Sequence, residues 1–232
     1  MLVLFDIDGT LLSGSGVGMR AMAAAGRELF GSRFTFGDIH FAGSLDSDIW
    51  RKLAQTNTIQ DTPERHDSFR SAYIQCLQRR LAAGDPVHSL PGVTELLAGL
   101  ALTDGVSTGL LTGNYEESGW LKIEAAGLDP AHFEVGAWGT DGDTREELPR
   151  VARDRFHRRT GRRVELEDIV IVGDTPRDIE CARANGCRAL AVATGRYSPE
   201  ELSPHRPHHL VDDLTATTEL LDWITTPGFA ST

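Results

Sequence analysis

Cysteine is scarce in this chain: three in 232 residues, Cys76, Cys181 and Cys187. An odd number without paired metal-ligand spacing argues against a disulfide framework and a thiolate zinc site, and predicts reduced, structural thiols. Long hydrophobic runs are also missing. None approaches the stretch of about 20 apolar residues that spans a bilayer, so no membrane partner is expected. Positive charge is in deficit, with 23 Lys and Arg against 34 Asp and Glu and a net charge of −11. Polyanion binding needs clustered cations, so nucleic acid is not an expected partner. The one basic stretch, residues 153–163, reads as a solvated helix face and its exit turn. Lysine is nearly absent, with Lys52 and Lys122 alone in an arginine-rich chain. No internal repeat or low-complexity tract occurs. Met1 leads into an apolar strand without a charged leader, which predicts a cytoplasmic location.

What is present is ordinary for a globular protein: 40% apolar and 25% charged residues. The length suits one domain with a modest insertion. Short apolar segments at 2–5, 108–111, 132–135, 169–172 and 188–192 read as strands, with 209–211 as a short edge strand. Helical patterns over 93–102, 116–126, 146–158 and 177–184 separate them. This alternation predicts a parallel sheet with helices on both faces. Between residues 13 and 89 it is broken by helix after helix, at 17–30, 46–55 and 63–83. Gly84-Asp85-Pro86 and Leu90-Pro91-Gly92 mark the exit. The expected fold class is therefore α/β: a Rossmann-like parallel sheet core of residues 1–13 and 89–232, with an inserted all-helical cap domain of residues 14–88. A helical insert beside a reactive motif suits a lid.

That motif is Asp6-Ile7-Asp8-Gly9-Thr10, directly after the first strand. Carboxylates there face the crevice where open α/β sheets bind ligands. Gly9 and Thr10 allow a sharp turn and close approach to a small anion. Leu110-Leu111-Thr112-Gly113-Asn114 ends a second strand just before a helix, where a hydroxyl and free N–H groups can hold phosphate oxygens. Ile169-Val170-Ile171-Val172-Gly173-Asp174-Thr175-Pro176-Arg177-Asp178 ends a third in two more acids. An apolar strand followed by D-x-D-G-T, a strand ending in Thr, and G-D-x-x-x-D resemble the first, second and fourth motifs of the haloacid dehalogenase-like (HAD) hydrolases. The resemblance covers nearly the whole chain.

It implies a phosphatase acting on a small phosphorylated metabolite with Mg²⁺, similar to phosphoglycolate phosphatases. Asp6 would be the nucleophile and Asp8 the acid–base group. The family's dehalogenases lack that second aspartate. Mg²⁺ would be held by Asp6, the backbone carbonyl of Asp8, and Asp174, with Asp178 binding directly, through a water, or only capping its helix. Thr112, Gly113 and Asn114, with Gly9 and Thr10, would contact phosphate. The third motif departs from the pattern: Arg145 stands where a lysine is usual, while Lys122 occupies the helix after the second motif. Either could neutralise Asp6, and Lys122 is favoured. In the cap, Asp46 and Arg20 are candidate substrate contacts. A phosphomutase, a phosphonate hydrolase using Lys52, or a non-catalytic phosphate-binding module are the alternatives. Three look-alikes are set aside. Residues 14–18 have misplaced glycines for a dinucleotide loop and read as a hinge. Asp141-Gly142-Asp143 lacks the rest of a calcium loop. His205, His208 and His209 have no partner cluster for a metal.

Overall fold

The computed structural model describes residues 1–37, 39 and 41–226; residues 227–232, the end of the expected core, lie outside the described residues. Six strands form one parallel sheet in the order β5-β4-β1-β6-β7-β8: β1 (Leu2–Phe5), β4 (Ser107–Leu111), β5 (Val135–Ala137), β6 (Ile169–Gly173), β7 (Arg188–Val192) and β8 (His209–Val211). Alternating side chains explain the burial of both faces. Val3, Phe5, Leu110, Val170, Val172 and Leu190 pack with α4 (Val93–Ala101), α5 (Glu116–Ala125) and α9 (Thr217–Thr225). Leu2, Leu4, Leu111, Ile169, Ile171 and Ala189 pack with α6 (Leu148–Thr160), α7 (Pro176–Ala184) and the short α8 (Pro199–Leu202).

The two-residue strands β2 (Leu12–Ser13) and β3 (His88–Ser89) pair antiparallel, so the chain leaves and re-enters the α/β layer side by side. Between them lie α1 (Val17–Phe30), α2 (Asp46–Thr56) and α3 (Pro63–Ala82). Thr62 caps α3 by accepting from the Arg65 N–H, with Pro63 at the first helical position. This helical cap has its own core, including Met22, Ile49, Trp50, Leu53, Phe69, Tyr73 and Leu77. Full burial of each such large side chain contributes about 1.5–3 kcal/mol. Tyr115, from the α/β layer, joins the same cluster and couples the two parts.

The sequence placed the third strand too early. Asp129 accepts from the Ala131 N–H and starts a 3-10 turn over Pro130–His132, so the strand begins at Val135. A second 3-10 turn, Arg145–Glu147, precedes α6, which begins later than expected, at Leu148. All three cysteines are free and buried. The basic stretch is spent locally: Arg155 pairs with Asp141, and Arg162 donates to Ser107 Oγ at 3.1 Å and Gly105 O at 2.9 Å.

Candidate active site

β1 is the strand from which the sheet order runs outward in both directions, and β4 and β6 flank it. Side chains just beyond the carboxyl ends of these three strands meet in one crevice, as open α/β sheets require. They are Asp6 and Asp8 after β1, Thr112 and Asn114 after β4, and Asp174 after β6. All five line a cavity of about 430 Å³ closed on its other side by the helical cap.

Asp6, Asp174 and Asp178 are buried, and one carboxylate oxygen of each lies within 4.8 Å of the others. Burial pushes the Asp6 carboxyl up to about 6; Arg145 opposes this, Asp178 adds to it, and hydrogen bonds from Thr112 and the Ile7 backbone offset it in part. Burial also raises Asp174 well above its ordinary value, with Asp178 and Asp6 adding to the effect. Thr10 Oγ1 donates to Asp174 Oδ1 at 3.2 Å. Two glycines make room for this carboxylate: a Cβ would stand 2.4 Å from it at Gly9, where φ is +84°, and 1.7 Å at Gly195.

Arg145 Nη2 lies 3.3 Å from Asp6 Oδ1 and 2.5 Å from Asp178 Oδ1, and donates to Leu111 O at 3.3 Å. Its Nε is buried without a hydrogen-bond partner. Asp178 Oδ2 accepts from the Thr175 N–H at 3.0 Å, one half of the capping box of α7, and also from the Thr175 hydroxyl at 2.7 Å. Asp178 thus combines helix cap, arginine partner and cluster member.

Asp8 is different. Its side chain is 47% exposed, and Oδ2 accepts from Lys122 Nζ at 2.6 Å and Asn114 Nδ2 at 2.9 Å. Lys122 Nζ also donates to Asn114 Oδ1 at 2.6 Å, and Asn114 Nδ2 donates to Thr112 Oγ1 at 2.9 Å. Burial of Lys122 disfavours its charge, but Asp8, Tyr73 and Asp46 outweigh it and raise its pKa. The sequence favoured Lys122 as the cation beside Asp6. The structure corrects this: Arg145 holds Asp6, because the 3-10 turn before α6 carries it over the end of β4, while Lys122 reaches Asp8 from α5.

The cap closes by backbone as well as side chains. The Asp46 N–H donates to Gly113 O at 2.7 Å, and Ser47 Oγ to Gly139 O at 2.8 Å. A Cβ at Gly113 would stand 2.1 Å from Ser44 O, so only glycine fits under this loop. Asp46 lines the cavity, and its carboxylate accepts from the Tyr115 N–H at 2.9 Å and Ser118 Oγ at 3.4 Å. Burial pushes it up to about 6, Lys122 opposing. Arg20 is not brought to the cavity. It pairs with Asp85 at 3.0 Å and donates to Ser15 O at 2.5 Å, forming a charged tie with Arg80 across the cap's exit.

Sequence reasoning missed Tyr73, Thr194, Gly195 and Arg196, which also line the cavity. The last three follow β7, and their place after a parallel strand was a usable signal. Tyr73 carried none, being one of two aromatics on α3 with Phe69.

Comparisons with known proteins agree with this arrangement. A family model described as HAD-hydrolase-like matches residues 147–217. A curated protein of Dickeya dadantii (strain 3937), "Probable phosphatase IndB", is 25% identical over 216 residues, 91% of this chain and 89% of that protein. Solved structures share the fold. A hydrolase from Pseudomonas syringae has a TM-score of 0.70 at 19% identity, covering 97% of this chain and 99% of that one. A "predicted phosphoglycolate phosphatase" from Haemophilus somnus 129PT has a TM-score of 0.69 at 17% identity, covering 95% and 97%. The chain is thus similar to haloacid dehalogenase-like hydrolases over its C-terminal part, to a probable phosphatase over most of its length, and in fold to solved hydrolases.

Proposed function

We propose that this enzyme hydrolyses a small phosphomonoester through an aspartyl-phosphate on Asp6, with Mg²⁺ as cofactor, and that in architecture it is phosphoglycolate phosphatase-like. One observation carries the reading. Two aspartates two residues apart stand in opposite settings: Asp6 is buried among acids beside Arg145, and Asp8 is half exposed beside Lys122. The contrast supports Asp6 as the attacking group within the metal-binding acids and Asp8, open to the cavity, as the proton carrier.

The residues suit Mg²⁺. The donors are all oxygen, three carboxylates converge, and the burial that raises Asp6 and Asp174 lacks enough positive charge to offset it. Asp6, Asp174 and the Asp8 carbonyl would hold the ion, with Asp178 directly or through a water. When bound, it would neutralise these acids and the phosphate they face.

Asp6 attacks phosphorus, and the bond to the ester oxygen breaks as Asp8 gives it a proton. The alcohol departs. Asp8, now charged, takes a proton from water, which attacks the acyl-phosphate and releases phosphate and Asp6. Thr112 and the N–H groups near Gly113 and Asn114 bind phosphoryl oxygens, and the free Nε–H of Arg145 is a further buried donor for an anion. The Asn114–Lys122 pair orients Asp8. The phosphonate alternative lacks its amine, because Lys52 is exposed on α2 and does not line the cavity. The test is hydrolysis of an aryl phosphate by metal-stripped protein, with and without added Mg²⁺. Turnover only with Mg²⁺, lost in Asp6→Asn, is expected; no turnover with Mg²⁺, or full turnover without metal, overturns the reading.

A further inference from the structure

The helical cap walls the cavity with Val17, Met19, Met22, Phe41, Ile49 and Tyr73. Among the described residues it contributes no Lys, Arg or His to that wall. The cap is rich in arginine, but those side chains pair elsewhere: Arg20 and Arg80 with Asp85, Arg70 with Glu117, and Arg79 with Glu28. Its one charged contribution to the cavity is Asp46, an acid.

Two buried polar heads border this apolar wall, one from α3 of the cap and one from α5 of the α/β layer. The Tyr73 hydroxyl is buried and makes no hydrogen bond, and the Ser118 hydroxyl beside it donates instead to Tyr115 O at 2.9 Å and Asp46 Oδ2. Lys122 is the second. A Cβ on Gly18 would stand 3.3 Å from Lys122 Nζ and 3.4 Å from Tyr73 Oη, so both border the space that Gly18 leaves free. Lys122 is already flanked by two carboxylates, Asp8 and Asp46. An anion placed there meets one ammonium and two acids, and is repelled. A neutral hydroxyl or carbonyl is not, and it supplies the partner that a buried phenol lacks.

We infer that the leaving group is an uncharged, largely apolar alcohol with a second hydrogen-bonding group that meets Tyr73, and that carboxylated esters and bisphosphates are poor substrates. This rests on the phosphomonoesterase reading and narrows it: phosphoglycolate itself falls on the disfavoured side. Arg196 is the opposing feature, an exposed cation at the cavity lining beyond β7.

A matched four-carbon series tests the inference: butyl phosphate, 4-hydroxybutyl phosphate, 4-phosphooxybutanoate and butane-1,4-diyl bisphosphate. Each is titrated calorimetrically into Asp6→Asn with Mg²⁺ and assayed for turnover with the wild-type enzyme. Aryl phosphate hydrolysis reports separately whether the phosphatase reading stands, since the binding order needs no turnover. The hydroxybutyl ester is expected to bind about tenfold or more tightly than either doubly anionic-ended ester. Tyr73→Phe should bring the hydroxybutyl to butyl ratio towards one, and Met22→Arg should raise affinity for the carboxylate. Equal binding across the series, no binding of any member, or preference for the carboxylate or bisphosphate overturns the inference. If that last preference disappears in Arg196→Ala, the anion is located at Arg196.

Discussion

The Lys122 ammonium lies 2.6 Å from Asp8 Oδ2, whereas the cation paired with Asp6 is Arg145, at 3.3 Å. In the proposed mechanism the two cations therefore serve different steps: Arg145 would meet the charge on Asp6 and the phosphoryl oxygens, and Lys122 with Asn114 would fix the group that moves protons.

Arg145→Ala should lower kcat by about 10²–10³, the scale of one lost electrostatic donor. It also strands Asp178 as a buried charge, which costs about 3–5 kcal/mol. Arg145→Lys should recover stability better than rate, because an ammonium can stand in for Nη2, which makes all the contacts to Asp6, Asp178 and Leu111 O, but not for the buried Nε–H left free for an anion. Urea denaturation and aryl phosphate turnover of both variants check this. Near-wild-type turnover in Arg145→Ala would remove Arg145 from the mechanism.

Lys122→Met should act on the leaving-group step. Without its ammonium, Asp8 keeps only Asn114 as a side-chain donor. The loss should approach the general-acid ceiling of about 10²–10⁴ on alkyl phosphates and be smaller on aryl phosphates, whose leaving groups need less protonation. A steeper dependence of kcat on leaving-group pKa is the readout. A uniform loss on all esters would show Lys122 holding phosphate instead.

Much of this was legible in the sequence because the determinants are local. Buried strands read as apolar runs, and the acids stand at their ends, so Asp6, Asp8, Thr112, Asp174 and Asp178 could be placed together from strand–loop–helix order alone. The helical insertion was legible as a break in that order. Which cation meets which acid was not, since it depends on how far a 3-10 turn carries Arg145 and on which face of α5 bears Lys122. The roles of Arg20 and Tyr73 depend likewise on helix rotation and on what packs opposite, and a spacing pattern carries neither.

Asp46 supplies a pH test outside the acidic cluster. Its folded pKa is raised by burial to about 6 from an ordinary 3.8. Between these values the folded state holds more protons than the unfolded one, so stability falls as pH rises through the window and the full penalty applies above about 6. Asp46→Asn keeps an oxygen to accept from Tyr115 N–H and removes the charge. It should be more stable than wild type at pH 7.5, by at most about 3 kcal/mol, and lose that advantage near pH 4. Thermal melts at both pH values decide. A variant less stable at pH 7.5 would show the Asp46–Lys122 attraction outweighing burial.

The cluster should respond to Mg²⁺ in the opposite pH sense. Burial raises Asp6 to about 6 and Asp174 above its ordinary value, so protons compete with the cation as pH falls through about 6. At a hundredfold excess over Kd, Mg²⁺ should stabilise the protein by about 2.7 kcal/mol at pH 7.5 and much less at pH 5.5. Gly195→Ala, whose Cβ would stand 1.7 Å from Asp174 Oδ2, should blunt the response at both. An unchanged melting temperature with Mg²⁺ at pH 7.5 would mean that these acids do not hold it.

The roles of Asp6 and Asp8 can be separated by what accumulates. Asp6→Asn keeps the shape of the side chain but removes the attacking charge, so no phospho-enzyme forms and turnover vanishes. Asp8→Asn leaves the nucleophile beside Arg145 and removes the proton carrier held by Lys122 and Asn114. An aryl ester needs little protonation as it departs, so the first step proceeds. The second step requires a base to take a proton from water, and it stalls. Asp8→Asn should therefore give a burst of phenol close to one per active site, then a slow phase reduced by about 10²–10⁴. Rapid quench with labelled phosphate should show label on the protein for as long as the burst product exceeds released phosphate. With an alkyl ester the first step is itself slow, and no label should build up. Label on Asp6→Asn, or an Asp8→Asn deficit equal on both esters with no trapped intermediate, would show that the two carboxylates do not divide the chemistry in this way.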